Sequence, residues 1–281
     1  MMGRPFTQVD VFTDRLTLGN PVAVVHDAGG LDDEALAAFA RWTNLSETTF
    51  LLPPTDERAD YRLRIFTPGG ELPFAGHPTL GSARAWLHAG GTSRTAGVIV
   101  QECGVGLVQV RRAGDRLAFA APGLRRSGPV DEPLATQVSA ALGLDAAQVR
   151  GIEWIDNGPG WLGVLVDSAE TVLGIEPDQP AMPVRAVGVA GPYPEPRADE
   201  PLLEVRAFVG GLGVPEDPVT GSLNAGLAQW LIGARIVPGS YTAQQGTRLG
   251  RRGRIHISQE EDGLWVGGDT VIGVTGTVTL D

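Results

Sequence analysis

Three titratable side chains sit among neighbours that suit chemistry. Glu47 lies between Ser46 and Thr48 in an otherwise apolar stretch. Burial against Leu45 and Phe50 would lift its carboxyl towards neutrality, where one group can take a proton from one carbon and return it to another. His77 and Asp217 each precede a proline, Pro78 and Pro218, that suits the first position of a helix. On that reading both are N-caps at helix ends whose N–H groups and dipole attract an anion. Gly76, Gly221 and Ser222 are small enough to let a carboxylate reach the backbone there. Two such ends facing each other would hold a carboxylate and the charge developing beside it, with no metal or organic cofactor. Taken singly, each residue also has an ordinary role. Asp217 is a common N-cap type, and a carboxylate at a strand start is commonly solvated. His77 is the odd one: histidine caps poorly, and a cation is unfavourable at a helix N-terminus.

Composition removes several other chemistries. The chain has 281 residues and no lysine; its 22 basic residues are all arginine. Schiff-base enzymes need a lysine amine and are excluded. Cys103 is the only cysteine, so there is no intramolecular disulfide, no four-cysteine zinc site and no racemase with paired cysteines. The four histidines, His26, His77, His88 and His256, show no zinc-binding spacing. Glycine-rich nucleotide loops are missing too. A net charge of −11 argues against nucleic acid. No apolar run reaches the roughly 20 residues that span a bilayer, and no leader segment is evident. The expectation is a cytoplasmic protein with a small carboxylate substrate.

The elements that must carry these residues are short strands and a few helices. Phe6 to Phe12, Tyr61 to Phe66 and Leu107 to Val110 alternate with period two. Val22 to Val25, Thr48 to Leu52 and Trp161 to Val166 read as further strands. Asp32 caps a helix to about Trp42. A recurring unit follows. Phe66 and Gly69-Gly70 precede Pro78-Thr79-Leu80-Gly81-Ser82 and a helix to Leu87. Phe208 and Gly210-Gly211 precede Pro218-Val219-Thr220-Gly221-Ser222 and a helix to Leu231. This alignment matches His77 with Asp217, 140 positions apart, about half the chain. Pro122 to Pro133, rich in glycine and proline, reads as the linker. Two like halves are expected, residues 1–125 and 126–281, with the last strand free to return to the first.

Three separated strings then carry a resemblance. They are Asn44-Leu45-Ser46-Glu47-Thr48-Thr49-Phe50, Pro73-Phe74-Ala75-Gly76-His77-Pro78-Thr79 and Gly213-Val214-Pro215-Glu216-Asp217-Pro218-Val219-Thr220-Gly221-Ser222. With Val9-Asp10-Val11-Phe12, Gly19-Asn20-Pro21 and Gln245-Gly246, they resemble the PhzF-like family, which is similar in fold to diaminopimelate epimerase. The resemblance implies an α+β fold of two pseudo-symmetric domains, each a curved, mostly antiparallel sheet wrapped around a central helix, with the active site between them. It implies a homodimer. The namesake enzyme of phenazine biosynthesis acts on a dihydro-hydroxyanthranilate, in which a glutamate moves a proton between ring carbons and the enol becomes a ketone. By motif match Glu47 is that glutamate, His77 and Asp217 orient the substrate, and Gly76, Gly221 and Ser222 hold the carboxylate. Leu223-Asn224 departs from the small alanine that often follows the Gly-Ser. Two other readings stay open: a two-base racemase or epimerase with His77 and Asp217 as opposed bases, and a non-catalytic binder of small carboxylates.

Overall fold

The computed structural model describes residues 3–114, 116–197, 199–210 and 215–280. Gly211, Gly213 and Val214 of the second motif lie outside them. The chain divides into two units, Met1–Ala120 with Gly267–Asp281, and Ala121–Val266. In the first, the order is β1 (Gly3–Val11), β2 (Asn20–Val25), α1 (Asp33–Thr43), β3 (Glu47–Leu52), β4 (Tyr61–Thr67), β5 (Gly70–Leu72), α2 (Gly76–His88), β6 (Val98–Cys103), β7 (Gly106–Ala113) and β8 (Arg116–Ala120). The second unit runs β9 (Arg126–Pro129), α3 (Glu132–Ala141), β10 (Val149–Asp156), β11 (Trp161–Val166), α4 (Ala169–Gly174), β12 (Ala186–Pro192), β13 (Leu203–Val209), β14 (Glu216–Asp217), α5 (Gly221–Gly233), β15 (Ser240–Gln245) and β16 (Gly253–Glu260). Strand β17 (Gly263–Gly268) leads into β18 (Thr270–Thr279), which pairs antiparallel with β1 in the first unit.

The two units repeat one topology. Antiparallel β1–β2 matches β10–β11. Parallel β2–β3 matches β11–β12, and antiparallel β3–β4 matches β12–β13. Parallel β4–β6 matches β13–β15, and antiparallel β6–β7 matches β15–β16. The parallel pairs occur where a helix crosses, α1 or α4 and then α2 or α5, because parallel neighbours cannot be joined by a hairpin. Apolar clusters fill the space under the outer helices: Val25, Leu36, Phe39, Phe50 and Phe66 in the first unit, Val138, Leu162, Val172, Val187 and Phe208 in the second.

The matching hairpins β4–β5 and β13–β14 are held alike. Arg64 grips Glu71 with two bonds of 2.7 Å, and Arg206 grips Glu216 at 3.0 and 2.8 Å. Arg206 and Glu216 are both nearly fully buried, and Arg206 also donates to the carbonyls of Val172 and Ile175 at the end of α4.

The helix starts differ from the sequence expectation. The N-cap of α2 is Ala75, which places His77 second and Pro78 third in the helix. That of α5 is Thr220, so Pro218 lies outside the helix and Asp217 belongs to β14. Neither His77 nor Asp217 is a cap. The first three helical residues have no N–H partner within the helix, so proline fits beyond the first position, and the residue before a proline is pushed towards extended backbone, as Asp217 is. The repeat must also be re-registered. Gly76 opens α2 as Gly221 opens α5, an offset of 145, and Gly81 matches Gly226. His77 therefore corresponds to Ser222, and not to Asp217. The Pro122 to Pro133 stretch is not a linker throughout: it contains β9, paired with β10, and the start of α3, capped by Asp131.

Helices α2 and α5 are mostly buried, α2 among strands of both edges of its sheet. Small residues make this possible. A Cβ on Gly81 would lie 2.3 Å from Val22 Cγ1, and one on Gly226 only 2.5 Å from the Ile155 carbonyl oxygen. Gly81→Ala should cost about 1–3 kcal/mol, and Gly226→Ala more, because a backbone carbonyl yields less readily than a side chain. Urea unfolding checks this; two variants as stable as the parent would contradict the packing.

Candidate active-site half in each unit

In the first unit, β2 and β3 run parallel with Val22 opposite Glu47. Their starts therefore lie at one end of the sheet, where α2 begins. This brings Pro21 and Glu47 to His77. Glu47 Oε2 lies 3.4 Å from His77 Nε2, and the side chains are only 14% and 4% exposed. Glu47 is thus a largely buried carboxyl with its Oε2 shielded from solvent, not a solvated strand end. His77 Nε2 makes no hydrogen bond, so the bond between the ring and the Pro21 backbone comes from Nδ1. Proline offers only a carbonyl there, so Nδ1–H donates. Burial pushes the His77 pKa down to about 3, with the Pro21 bond opposing. The ring is neutral near pH 7 and turns the Nε2 lone pair to the Glu47 carboxyl. A neutral imidazole also resolves the oddity of histidine at a helix N-terminus, where a cation is unfavourable.

Behind this pair the central helix is tied to the sheet by buried polar contacts. Thr49 and Ser82 hydroxyls are 2.8 Å apart, and Gln101 Nε2 donates to Thr79 Oγ1 at 3.0 Å. Tyr61 donates to Gln101 Oε1 at 3.2 Å, which orients the amide.

In the second unit, Asp217, Gly221 and Ser222 come together around the start of α5. Thr220 Oγ1 donates to Asp217 Oδ2 at 2.5 Å. Trp161 Nε1 donates to Ser222 Oγ at 3.0 Å, and Asn157 Nδ2 donates to the Ser222 carbonyl at 2.8 Å. An indole can only donate, so the Ser222 hydroxyl keeps its own proton to give elsewhere. Leu223 lies over Gly188, where a Cβ would be 2.0 Å from it, and Asn224 bonds Gln245 and the Thr220 carbonyl. The Leu223-Asn224 departure is therefore used inside this unit.

Side chains cap α1, α3 and α4, through Asp32, Asp131 and Ser168. The N-caps of α2 and α5 make no such bond. The helix ladders begin at Thr79 and Asn224, so the earlier N–H groups, at Gly76 and His77 and at Gly221, Ser222 and Leu223, are spent on neither. Of the supporting residues, Trp161 and Gln245 carried a sequence signal, as the start of an expected strand and through the Gln-Gly pair. Arg206 carried none, and its pairing with Glu216 was not readable, because it depends on the hairpin.

The depressed His77 pKa has a consequence for stability. Between about pH 6.5, where a free histidine titrates, and about 3, the unfolded chain binds a proton at this position that the folded chain does not. Stability contributed here is present above pH 6.5 and lost as the pH falls. His77→Gln should therefore lose less stability than the parent between pH 7 and 4 in urea melts. Equal losses would show that His77 titrates normally.

The comparisons agree with this architecture. Residues 9–278 match the phenazine biosynthesis-like protein family. Antisense-enhancing sequence 1 of Schizosaccharomyces pombe is 36% identical over 92% of this chain and 91% of its own. The trans-2,3-dihydro-3-hydroxyanthranilate isomerase of Pseudomonas aeruginosa is 32% identical over the same shares. A crystal structure of a PhzF family protein from Enterococcus faecalis superposes with a TM-score of 0.82 at 26% identity, covering 99% of this chain and 100% of that one. A hydroxyproline epimerase from Agrobacterium vitis, 15% identical and covering 98% and 92%, shares the fold with a TM-score of 0.57. The chain belongs to the phenazine biosynthesis-like family of isomerases, with the α+β fold of the PhzF and epimerase type.

Proposed function

We propose that this protein moves a proton between carbons of a small, unsaturated, cyclic carboxylic or amino acid, without a cofactor and with Glu47 as the acid/base. The observation that carries the reading is the buried Glu47–His77 pair, 3.4 Å apart, with His77 neutral. A carboxyl facing the lone pair of a neutral imidazole has a partner for its proton when protonated, and is ready to accept one from carbon when ionised. One group can therefore deliver a proton to one carbon and remove it from another. His77 holds the carboxyl in place, because its Nδ1–H is already committed to Pro21.

Ser222, whose hydroxyl must donate, and the N–H groups of Gly76 and Gly221 are the proposed holders of the substrate carboxylate. Asp217 orients the substrate by hydrogen bonding. An anion at helix starts without side-chain caps replaces the caps that other helices of this chain possess. A homodimer in the cytoplasm is the assembly and setting we propose.

Trans-2,3-dihydro-3-hydroxyanthranilate, the substrate named for the Pseudomonas aeruginosa relative, is the first compound to test. In deuterated water, NMR should show an isomer with its double bond moved and the transferred hydrogen on a new carbon. Glu47→Gln keeps the shape and removes the proton carrier. It should lower turnover by a factor of about 100 or more while leaving ligand binding in place. A Glu47→Gln variant with parental turnover would refute the assignment. Inversion at one carbon without double-bond movement would favour the epimerase reading.

A further inference from the structure

An N-cap threonine ordinarily accepts a hydrogen bond from the first turn of its helix. Thr220 does not: it caps α5 with extended backbone and no side-chain bond to the helix. Its hydroxyl is spent instead on Asp217 Oδ2, at 2.5 Å. The direction of that bond is set from behind. Gln245 Nε2 stands 3.0 Å from Thr220 Oγ1 and 3.0 Å from the Asp217 carbonyl. Gln245 Oε1 accepts from the Thr220 N–H at 3.0 Å and from Asn224 Nδ2 at 2.9 Å. Flipping the amide would set its NH₂ against two donors, so the network admits one orientation. The amide therefore donates to the threonine oxygen, and the single threonine proton goes to the carboxylate.

Gln245 is fully buried, and Thr220 and Asn224 nearly so, so water cannot easily stand in for any link. The first unit has no counterpart, because its matching N-cap is Ala75.

We infer that Thr220 is a positioning residue, which sets the Asp217 carboxylate for the substrate through a hydroxyl whose direction Gln245 decides. This deepens the reading of Asp217 as a substrate-orienting group and rests on that reading for its kinetic consequence only.

The test compares Thr220→Val, which keeps the shape without the hydroxyl, with Thr220→Ser, which restores it. Thr220→Cys is a second variant without a hydroxyl, should the valine fail to fold; urea melts check folding. Crystal structures provide the arm that needs no substrate. The Asp217 carboxylate should leave its parental orientation in the valine or cysteine variant and keep it in the serine variant. In the kinetic arm, kcat/KM on trans-2,3-dihydro-3-hydroxyanthranilate should fall by about tenfold or more without the hydroxyl, the worth of a hydrogen bond to a charged group. The serine variant should stay within about twofold of the parent. An Asp217 orientation unchanged in the hydroxyl-free variant overturns the inference, as does equal turnover by the serine and hydroxyl-free variants. If the parent itself does not turn over this compound, the choice of substrate has failed and the crystal arm decides alone.

Discussion

Burying a whole helix inside a sheet is the constraint on which the rest of each unit depends. A helix covered on nearly every side needs small residues where strands cross it, and Gly81 and Gly226 supply them against Val22 and Ile155. It also has polar groups that water cannot reach, and the cost of leaving those unmade is high. The answer is a set of buried side chains, Gln101 and Thr49 for α2, and Gln245 and Asn224 for α5, each bonded at both ends or to the helix itself. The N–H groups of the first turns, at Gly76 and His77 and at Gly221, Ser222 and Leu223, are not used in this way, and it is there that the candidate chemistry lies.

The two units use one topology for different tasks. At the second helical position the first carries His77 and the second carries Ser222. The first sets a titratable pair at the end of two parallel strands. The second sets hydrogen-bond donors and a carboxylate whose hydroxyl partner is directed by an amide. The Arg64–Glu71 and Arg206–Glu216 pairs are common to both because both hairpins must be brought to the start of their helix. In the second unit the pair is deeply buried, so losing one partner there would strand a charge. Through Arg206 the pair joins the residue next to Asp217 in the chain to the end of α4.

Burial also explains the electrostatics of the first unit. A protonated His77 would add a cation beside the positive end of α2, in a place that water does not reach. Desolvation and helix dipole act in the same sense, and the Pro21 carbonyl gives the neutral ring its single donor contact. Glu47 is thereby faced by a neutral acceptor, the arrangement on which the proposed proton transfer rests.

Much of this was legible in local sequence. The Asp32 cap, the strand Trp161–Val166 and the strand start at Glu47 follow from side-chain type and short apolar runs, which act over a few residues. The motif order was enough to name the family and to single out Glu47, His77 and Asp217. The helix starts were not legible, because proline is tolerated throughout a first turn and the choice among those positions depended on the packing of the glycines against the sheet. Likewise, Pro122 to Pro133 has the composition of a linker, and only pairing with β10 makes part of it a strand. The neutral His77, the direction of the Thr220 hydroxyl and the Arg206–Glu216 pair belong to the tertiary structure alone. Each depends on burial or on a partner brought from elsewhere in the chain, and neither burial nor partner is written in the residues beside them.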